Sequence, residues 1–167
     1  LASLAMLPPE LSHVRLNVAG ECSSSSRFIQ SEVRRLGLQN RVVFHGNVSR
    51  KELPSLIARC SMLLFPSHNE ALGVAVIEAV AGGIPVVASK AGGIPEILNR
   101  TRCSKLVTNN PEAFACAIQS ILSNYPSRIE LKEDCLRVKD VFNVDSMIGK
   151  VKEIYYSVGR DGGMGSL

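Results

Sequence analysis

The sequence predicts an α/β domain, a Rossmann-like parallel sheet with helices on both faces. Two observations carry this. Strand-type and helix-type stretches alternate along most of the 167 residues, the order that builds parallel sheets through crossover helices. Two of the strands, Met62–Phe65 and Pro85–Ala88, are apolar without interruption, as strands covered on both faces read.

The elements follow in order. Val14–Val18 is a short β-type run ending in Ala19-Gly20. Phe28, Ile29, Val33 and Leu36 recur at helical spacing, and Gly37 stops that helix. Arg41–His45 is a strand built on Val42, Val43 and Phe44 and closed by Gly46. Ser49 and Glu52 stand at capping-box spacing before a helix whose apolar face is Leu53, Leu56, Ile57 and Cys60. The Met62–Phe65 strand ends at Pro66, and the loop Ser67–Leu72 feeds a helix over Gly73–Ala81. Gly82-Gly83 ends that helix before the strand Pro85–Ala88. Ala91-Gly92-Gly93 turns into a short helix at Pro95–Leu98, and Leu106-Val107 is a brief strand. Pro111–Asn124 is a helix with Phe114, Ile118, Ile121 and Leu122 on one side, and two more helices follow near Arg128–Val138 and Asp145–Val158. Ser23–Ser26 reads as a flexible surface loop, and the Gly-rich residues 159–167 read as a flexible tail behind one domain spanning 1–158.

Composition excludes several functions. Hydrophobic residues at 46% and charged residues at 20% are globular values, not those of a disordered chain. Lys and Arg number 19 against 15 Asp and Glu, a net charge of +4. That mild, scattered excess suits a small anionic ligand and not a surface that coats nucleic acid. Trp is absent and aromatics make up 5%, so a base-stacking platform is not expected. No apolar stretch nears the roughly 20 residues of a membrane span. Leu1–Leu7 is apolar but short, without a basic leader, and reads as the interior of a longer protein rather than a signal peptide. The cysteines Cys22, Cys60, Cys103, Cys116 and Cys135 are odd in number, with no C-x-x-C pair. They read as free thiols of a reducing, cytoplasmic compartment, and no metal site is expected.

In open parallel sheets, ligands sit beyond the carboxyl ends of the strands. Four junctions qualify: Gly20-Glu21, Gly46-Asn47, Ser67–Gly73 and Ser89–Gly93. The third is the richest. It joins a loop to a helix N-terminus, whose free amides and positive dipole end suit a phosphate, and Gly73 lets the backbone come close. Glu70 in the loop and Glu78 in the helix can accept hydrogen bonds from sugar hydroxyls. Glu70 also reads as an acid complementing the helix dipole. Glu78 stands among Val74, Ala75, Val76, Ile77, Ala79, Val80 and Ala81, where a carboxylate is costly unless something binds it. Gly82-Gly83 reads as a turn. His68 fits either a surface loop or the ligand cleft, and His13 and His45 read as structural.

Together these residues carry a resemblance. The stretches Arg41–Gly46, Phe65–Gly73, Glu78-Ala79, Gly83–Ser89 and Gly92–Glu96 are similar to retaining glycosyltransferases of the GT-B fold, family 4 type. The likeness runs from about Val14 to Val158. Glu70 and Glu78, with seven residues between, match the paired glutamates of that family. The resemblance implies the C-terminal, donor-binding domain, with Glu70 near the transferred sugar and Glu78 on the ribose. It further implies that Leu72, Gly73 and Val74 hold sugar or phosphate oxygens by backbone amides, and that Gly46, Asn47 and Val48 lie beside the base. The implied donor is a nucleotide-sugar such as a UDP- or GDP-sugar, used without a metal.

Leu72 stands where relatives usually carry an aromatic residue. Relatives also open this domain with a strand followed by an Arg and a Lys that grip the diphosphate, and their acceptor site lies in an N-terminal domain. This sequence has no counterpart of either, so the fragment alone is expected to be inactive. The implied acceptor is a glycan, a lipid-linked molecule or a small molecule. A lipid-linked acceptor would place the longer protein peripherally at a membrane. The missing first strand would be central in the doubly wound order. A gap is therefore expected between Val14–Val18 and Met62–Phe65, unless another strand fills it. Two other readings stay open: a non-catalytic module that binds a nucleotide-sugar or a partner, and a nucleotide-sugar epimerase. The paired glutamates disfavour the epimerase.

Overall fold

The computed structural model describes residues 1–20, 25–143, 145–146, 148–149 and 151–153. The chain forms helix α1 (Ala2–Ala5), a 3-10 turn (Pro9–Leu11), strand β1 (Leu16–Ala19), α2 (Ser25–Arg35), β2 (Val42–Gly46), α3 (Leu53–Ile57) and β3 (Leu63–Phe65). Then come α4 (Val74–Ala81), β4 (Val86–Ser89), α5 (Ile94–Leu98), β5 (Lys105–Val107), α6 (Pro111–Ser123) and α7 (Arg128–Val141). Residues 145–146, 148–149 and 151–153 are also helical. The alternation is the expected one. Ser25 and Ser26 belong to α2 rather than to a loop, because the helix starts before its first apolar residue. The expected tail at 159–167, residues 154–158 at the end of the expected last helix, and residues 23–24 of the serine loop lie outside the described residues.

All strand pairs are parallel, but they form two sheets. β1 pairs with β2, from Leu16 opposite Val42 to Ala19 opposite Gly46. β3 pairs with β4, Leu63 opposite Val86, and β4 with β5, Val87 opposite Lys105. β1 and β3 do not pair, which is the break expected between those two stretches. Asn17 of β1 reaches towards the second sheet, its amide 3.8 Å from Cys60 Sγ. On the same surface His45 Nε2 meets Asn17 Oδ1 at 2.8 Å.

Two cores cover the two faces. One gathers Leu4, Leu7, Val33, Val42, Phe114, Ile118 and Ile121, with Leu16, Val18 and Leu64 packed against them. The other gathers Val76, Ala79, Val80, Ile94, Ile97 and Val138, with Ile57, Leu63 and Phe65. β4 lies between them: Val87 joins the first core, Val86 and Ala88 the second, and every residue of the strand is buried. Side-chain alternation sends neighbours to opposite faces, so an unbroken apolar run is what this position requires. β3 is only half-buried despite its equally apolar run. Its one paired edge is towards β4, and among the described residues no strand pairs with the other.

Local signals set the helix ends. Ser49 and Glu52 form the anticipated reciprocal bonds, Ser49 N to Glu52 Oε2 at 3.2 Å and Glu52 N to Ser49 Oγ at 3.3 Å. A second capping box, Ser127 with Glu130, opens α7 and was not anticipated. Asn110 caps α6 by accepting from Ala113 N at 2.8 Å. α7 is then fastened by Asp134, which is 2% exposed. Its carboxylate accepts from Arg102 N at 2.8 Å, Cys103 N at 2.8 Å and Arg137 Nη1 at 2.7 Å. Burial, and after it the Asp134 carboxylate, push the Cys103 thiol up to about 12. Cys103 is therefore a packed thiol and no nucleophile at neutral pH. Among the described residues, no helix is long and apolar enough to cross a membrane.

Candidate functional site

Parallel strands place all their carboxyl ends on one rim of the domain. The loop from Pro66 to Gly73 leaves β3 there and enters α4. Gly73 is buried at the helix N-cap with φ +78°, left-handed backbone that glycine adopts freely. Val76 N and Ile77 N both donate to Gly73 O, at 2.9 and 3.1 Å. Those bonds start α4 and leave the amides of Val74 and Ala75 without intrahelical acceptors. Glu70 Oε1 accepts from Gly73 N at 3.1 Å, so its carboxylate sits at the positive end of the helix. Leu72 and Val74, both exposed, flank the buried Gly73.

Gly73 plays a different steric part from the one expected. A Cβ there would lie 3.4 Å from Ile94 Cγ1 and 3.5 Å from Ile97 Cδ1. It would point into the second core, not into the space above the helix. The glycine is required by its φ, since a Cβ would make only ordinary contact with that core.

Glu78 also departs from the sequence reading. Helix α4 buries Val76, Ala79 and Val80, whereas Val74, Glu78 and Gly82 are exposed. Residues four apart share a helix face, so Glu78 lies on a solvent-facing stripe and pays no burial cost. The apolar letters around it in the sequence belong to other faces. Glu78 lines a groove of about 330 Å³ with Pro54, Ile57, Ala58, Ala81, Gly82 and Ile84, between α3 and α4.

Glu70, Leu72, Gly73 and Val74 thus share one junction, with Glu78 one turn further along α4. Gly46, Asn47 and Val48 stand at the carboxyl end of β2, in the other sheet. Gly46 O accepts from Gly20 N at 2.8 Å, and Asn47 is exposed. The groove beside Glu78 is lined by none of Gly46, Asn47, Val48 and Glu70. His68 is exposed in the loop.

Among the residues that hold this loop, Ser89, Gly92 and Gly93 belong to the Ser89–Gly93 junction named from the sequence, and Asn109 was not singled out. Ser89, fully buried at the end of β4, donates from Oγ to Ser67 O. Asn109 Nδ2 donates to the same carbonyl at 3.3 Å. Gly93 N donates to Ala71 O at 3.2 Å, and Gly92 lies against the Glu70 backbone. A Ser closing an otherwise apolar buried strand was the available signal for the first. Gly-Gly after a strand was the signal for the pair, and the sequence left turn and function open there. Nothing marked Asn109.

A doubly wound parallel domain, with a carboxylate-bearing loop opening onto a helix N-terminus, is the class of domain that holds an anionic or sugar-bearing ligand on its strand-end rim. Residues 1–135 match the family "Glycosyl transferases group 1", and the chain belongs to it. Its fold matches that of the C-terminal domain of a group 1 glycosyl transferase from Francisella tularensis, with a TM-score of 0.71 at 21% identity over 84% of this chain and 75% of that one. It is 26% identical over 157 residues to the lipopolysaccharide glucosyltransferase WaaG of Escherichia coli, covering 92% of this chain and 41% of that protein. Among solved structures, sucrose-phosphate synthase from Thermosynechococcus elongatus superposes with a TM-score of 0.80 at 27% identity, over 96% of this chain and 41% of that one. Anabaena HepE in complex with UDP-glucose gives 0.78 at 26% identity, over 93% and 43%. The chain spans about two fifths of the length of WaaG, sucrose-phosphate synthase and HepE.

Proposed function

We propose that this chain is the donor half of a retaining glycosyltransferase that moves a sugar from a nucleotide-sugar to an acceptor. The observation that carries the reading is the Glu70–Gly73 junction, where a carboxylate and free helix amides meet at the N-terminus of α4. HepE, similar over 93% of this chain, binds UDP-glucose, which favours the same kind of donor here. In this reading Glu70 contacts the transferred sugar. The amides at Leu72 and Val74 take phosphate or sugar oxygens, while the Gly73 amide expected to join them is held by Glu70 Oε1; Glu78 accepts from the ribose hydroxyls, and Gly46, Asn47 and Val48 flank the base. The α4 dipole offsets charge on the departing diphosphate. Arg50, Lys51 and Lys90, all exposed beside the strand-end rim, add positive potential.

The unpaired edges of β1 and β3 fit one more parallel strand between them, supplied by chain upstream of Leu1. Such a strand would bring Gly46–Val48 and Glu70–Glu78 into one continuous sheet and so into one site. The acceptor site belongs to a further domain of the longer protein, which works in the cytoplasm. A paired experiment tests this. Calorimetric titration of this chain, and of the chain extended upstream by about 30 residues, with UDP, GDP and UDP-glucose should give binding that strengthens on extension. Transferase activity is expected only when the acceptor domain is also present, with the anomeric configuration of the donor retained in the product. Robust turnover by the 167-residue chain alone, or inverted product, would refute the reading. The alternative of a non-catalytic module predicts donor binding without turnover in the longest form.

A further inference from the structure

The segment that carries Glu70 belongs to no regular element between Phe65 and Val74, yet it is held closely. Ser89 and Asn109 grip it at the Ser67 carbonyl. Further along, it rests on the turn between β4 and α5. Gly92 has φ +48°, and a Cβ there would fall 1.4 Å from Glu70 O and 2.6 Å from the Glu70 carbonyl carbon. A Cβ on Gly93 would stand 2.8 Å from Ala71 O and 3.3 Å from Leu72 Cα. Real side chains do not tolerate the first distance, and the second forces a shift of the facing backbone. Gly93 N also donates to Ala71 O at 3.2 Å. One side chain further out, Glu70 Oε1 meets Gly73 N at 3.1 Å.

We propose that the Gly92-Gly93 turn is the positioning element for Glu70. Two successive residues without side chains let the Glu70–Leu72 backbone settle onto the start of α5. That depth fixes where the Glu70 carboxylate meets the N-terminus of α4. The consequence for a donor rests on the reading that Glu70 faces the transferred sugar; the positioning does not.

Gly93→Ala tests it with little confusion. Gly93 has φ −77° and ψ −5°, which alanine adopts without strain, so the added methyl acts only by pushing Ala71 and Leu72. Hydrogen exchange by NMR on the 167-residue chain reads the Glu70 contact through the Gly73 amide. We expect exchange at Gly73 to rise at least tenfold, with Val87 and Val138 in the two cores unchanged. In the donor titration, the affinity ratio of UDP-glucose to UDP should fall towards one while UDP binding is kept. A folded Gly93→Ala chain with unchanged Gly73 exchange overturns the proposal. A Gly73 response in a protein whose wild type never prefers UDP-glucose over UDP upholds the positioning and removes the sugar role of Glu70. Asn109→Ala keeps the test decisive even where Gly93→Ala fails to fold. It removes one of the two hydrogen bonds to the Ser67 carbonyl, keeps the one from Ser89 and leaves the glycines alone, so Gly73 exchange should stay within twofold. A tenfold rise there would assign the positioning to the Ser67 grip instead and overturn the proposal.

Discussion

Glu70 and Gly73 are joined by a hydrogen bond of 3.1 Å from the Gly73 amide to the Glu70 carboxylate, in the loop that leads into α4. The carboxylate we assign to the donor sugar therefore also holds the end of that loop. A glutamine retains an acceptor oxygen for the Gly73 amide but loses the negative charge.

In the longer, acceptor-bearing enzyme, Glu70→Gln should lower kcat about a hundredfold, the scale of losing one group that stabilises developing charge, with the fold intact. Glu78→Gln should instead raise KM for the donor with kcat nearly unchanged, since a ribose contact binds ground and transition states alike. Steady-state kinetics of the two variants side by side decide the matter. The same effect on kcat in both would abolish this division of roles.

Gly73→Ala should destabilise the domain by about 1–2 kcal/mol, the cost of forcing a residue with a Cβ into left-handed backbone. Gly73→Val should cost roughly 1–3 kcal/mol more, because its methyls must displace Ile94 and Ile97, whose atoms lie 3.4 and 3.5 Å from the new Cβ. Thermal melts of both should show a graded loss. Unchanged melting with lost donor affinity would restore the view that the side chain invades the phosphate site.

Asp134 should be far more sensitive than its place on a helix suggests. Asp134→Ala strips the Arg102 and Cys103 amides of their acceptor, and buried donors left unpaired cost about 1–3 kcal/mol each. A loss on the order of 3 kcal/mol in urea unfolding is the expected outcome. Asp134→Asn, which keeps an acceptor oxygen, should lose less than Asp134→Ala. A loss below about 0.5 kcal/mol for the alanine variant would mean that α7 is not fastened here.

Acid stability should depend on the capping box of α7. Hydrogen bonds from the Ser127 hydroxyl and amide hold the Glu130 carboxyl below its ordinary range. The folded value is lower than the unfolded one, so the unfolded chain binds the proton first. The contribution is complete above about pH 4.3, the unfolded glutamate value, and fades as pH falls through the folded value. Glu130→Gln should flatten that part of the stability curve, whereas Glu112→Gln, on an exposed turn of α6, should leave it in place. Equal acid slopes for wild type and Glu130→Gln would show that the cap carries no linkage.

The fold was legible because its signals are local. Strand and helix periods, the Ser49–Glu52 spacing and the glycines at helix ends act over a few residues. β4 illustrates how far this goes, since its unbroken apolar run announced a strand buried on both faces. β3 has the same kind of run and is half-exposed. Whether a strand has one neighbour or two is not written in its own letters. Glu78 failed for a related reason: adjacent letters looked apolar, but helix rotation sends them to other faces. Asp134 gave no warning, because its partners are amides 31 and 32 residues away.

By itself the sequence determined the order of elements, the two-sided burial of the central strand and the junction at which a ligand would meet the rim. Those depend on backbone propensity and hydrophobic period, which each segment carries alone. Tertiary structure decided the rest: the solvent-facing stripe of Glu78, the direction of the missing Cβ of Gly73 and the glycine floor under Glu70. Each is set by what distant segments place against a residue, and excluded volume and hydrogen-bond pairing across space have no local signature.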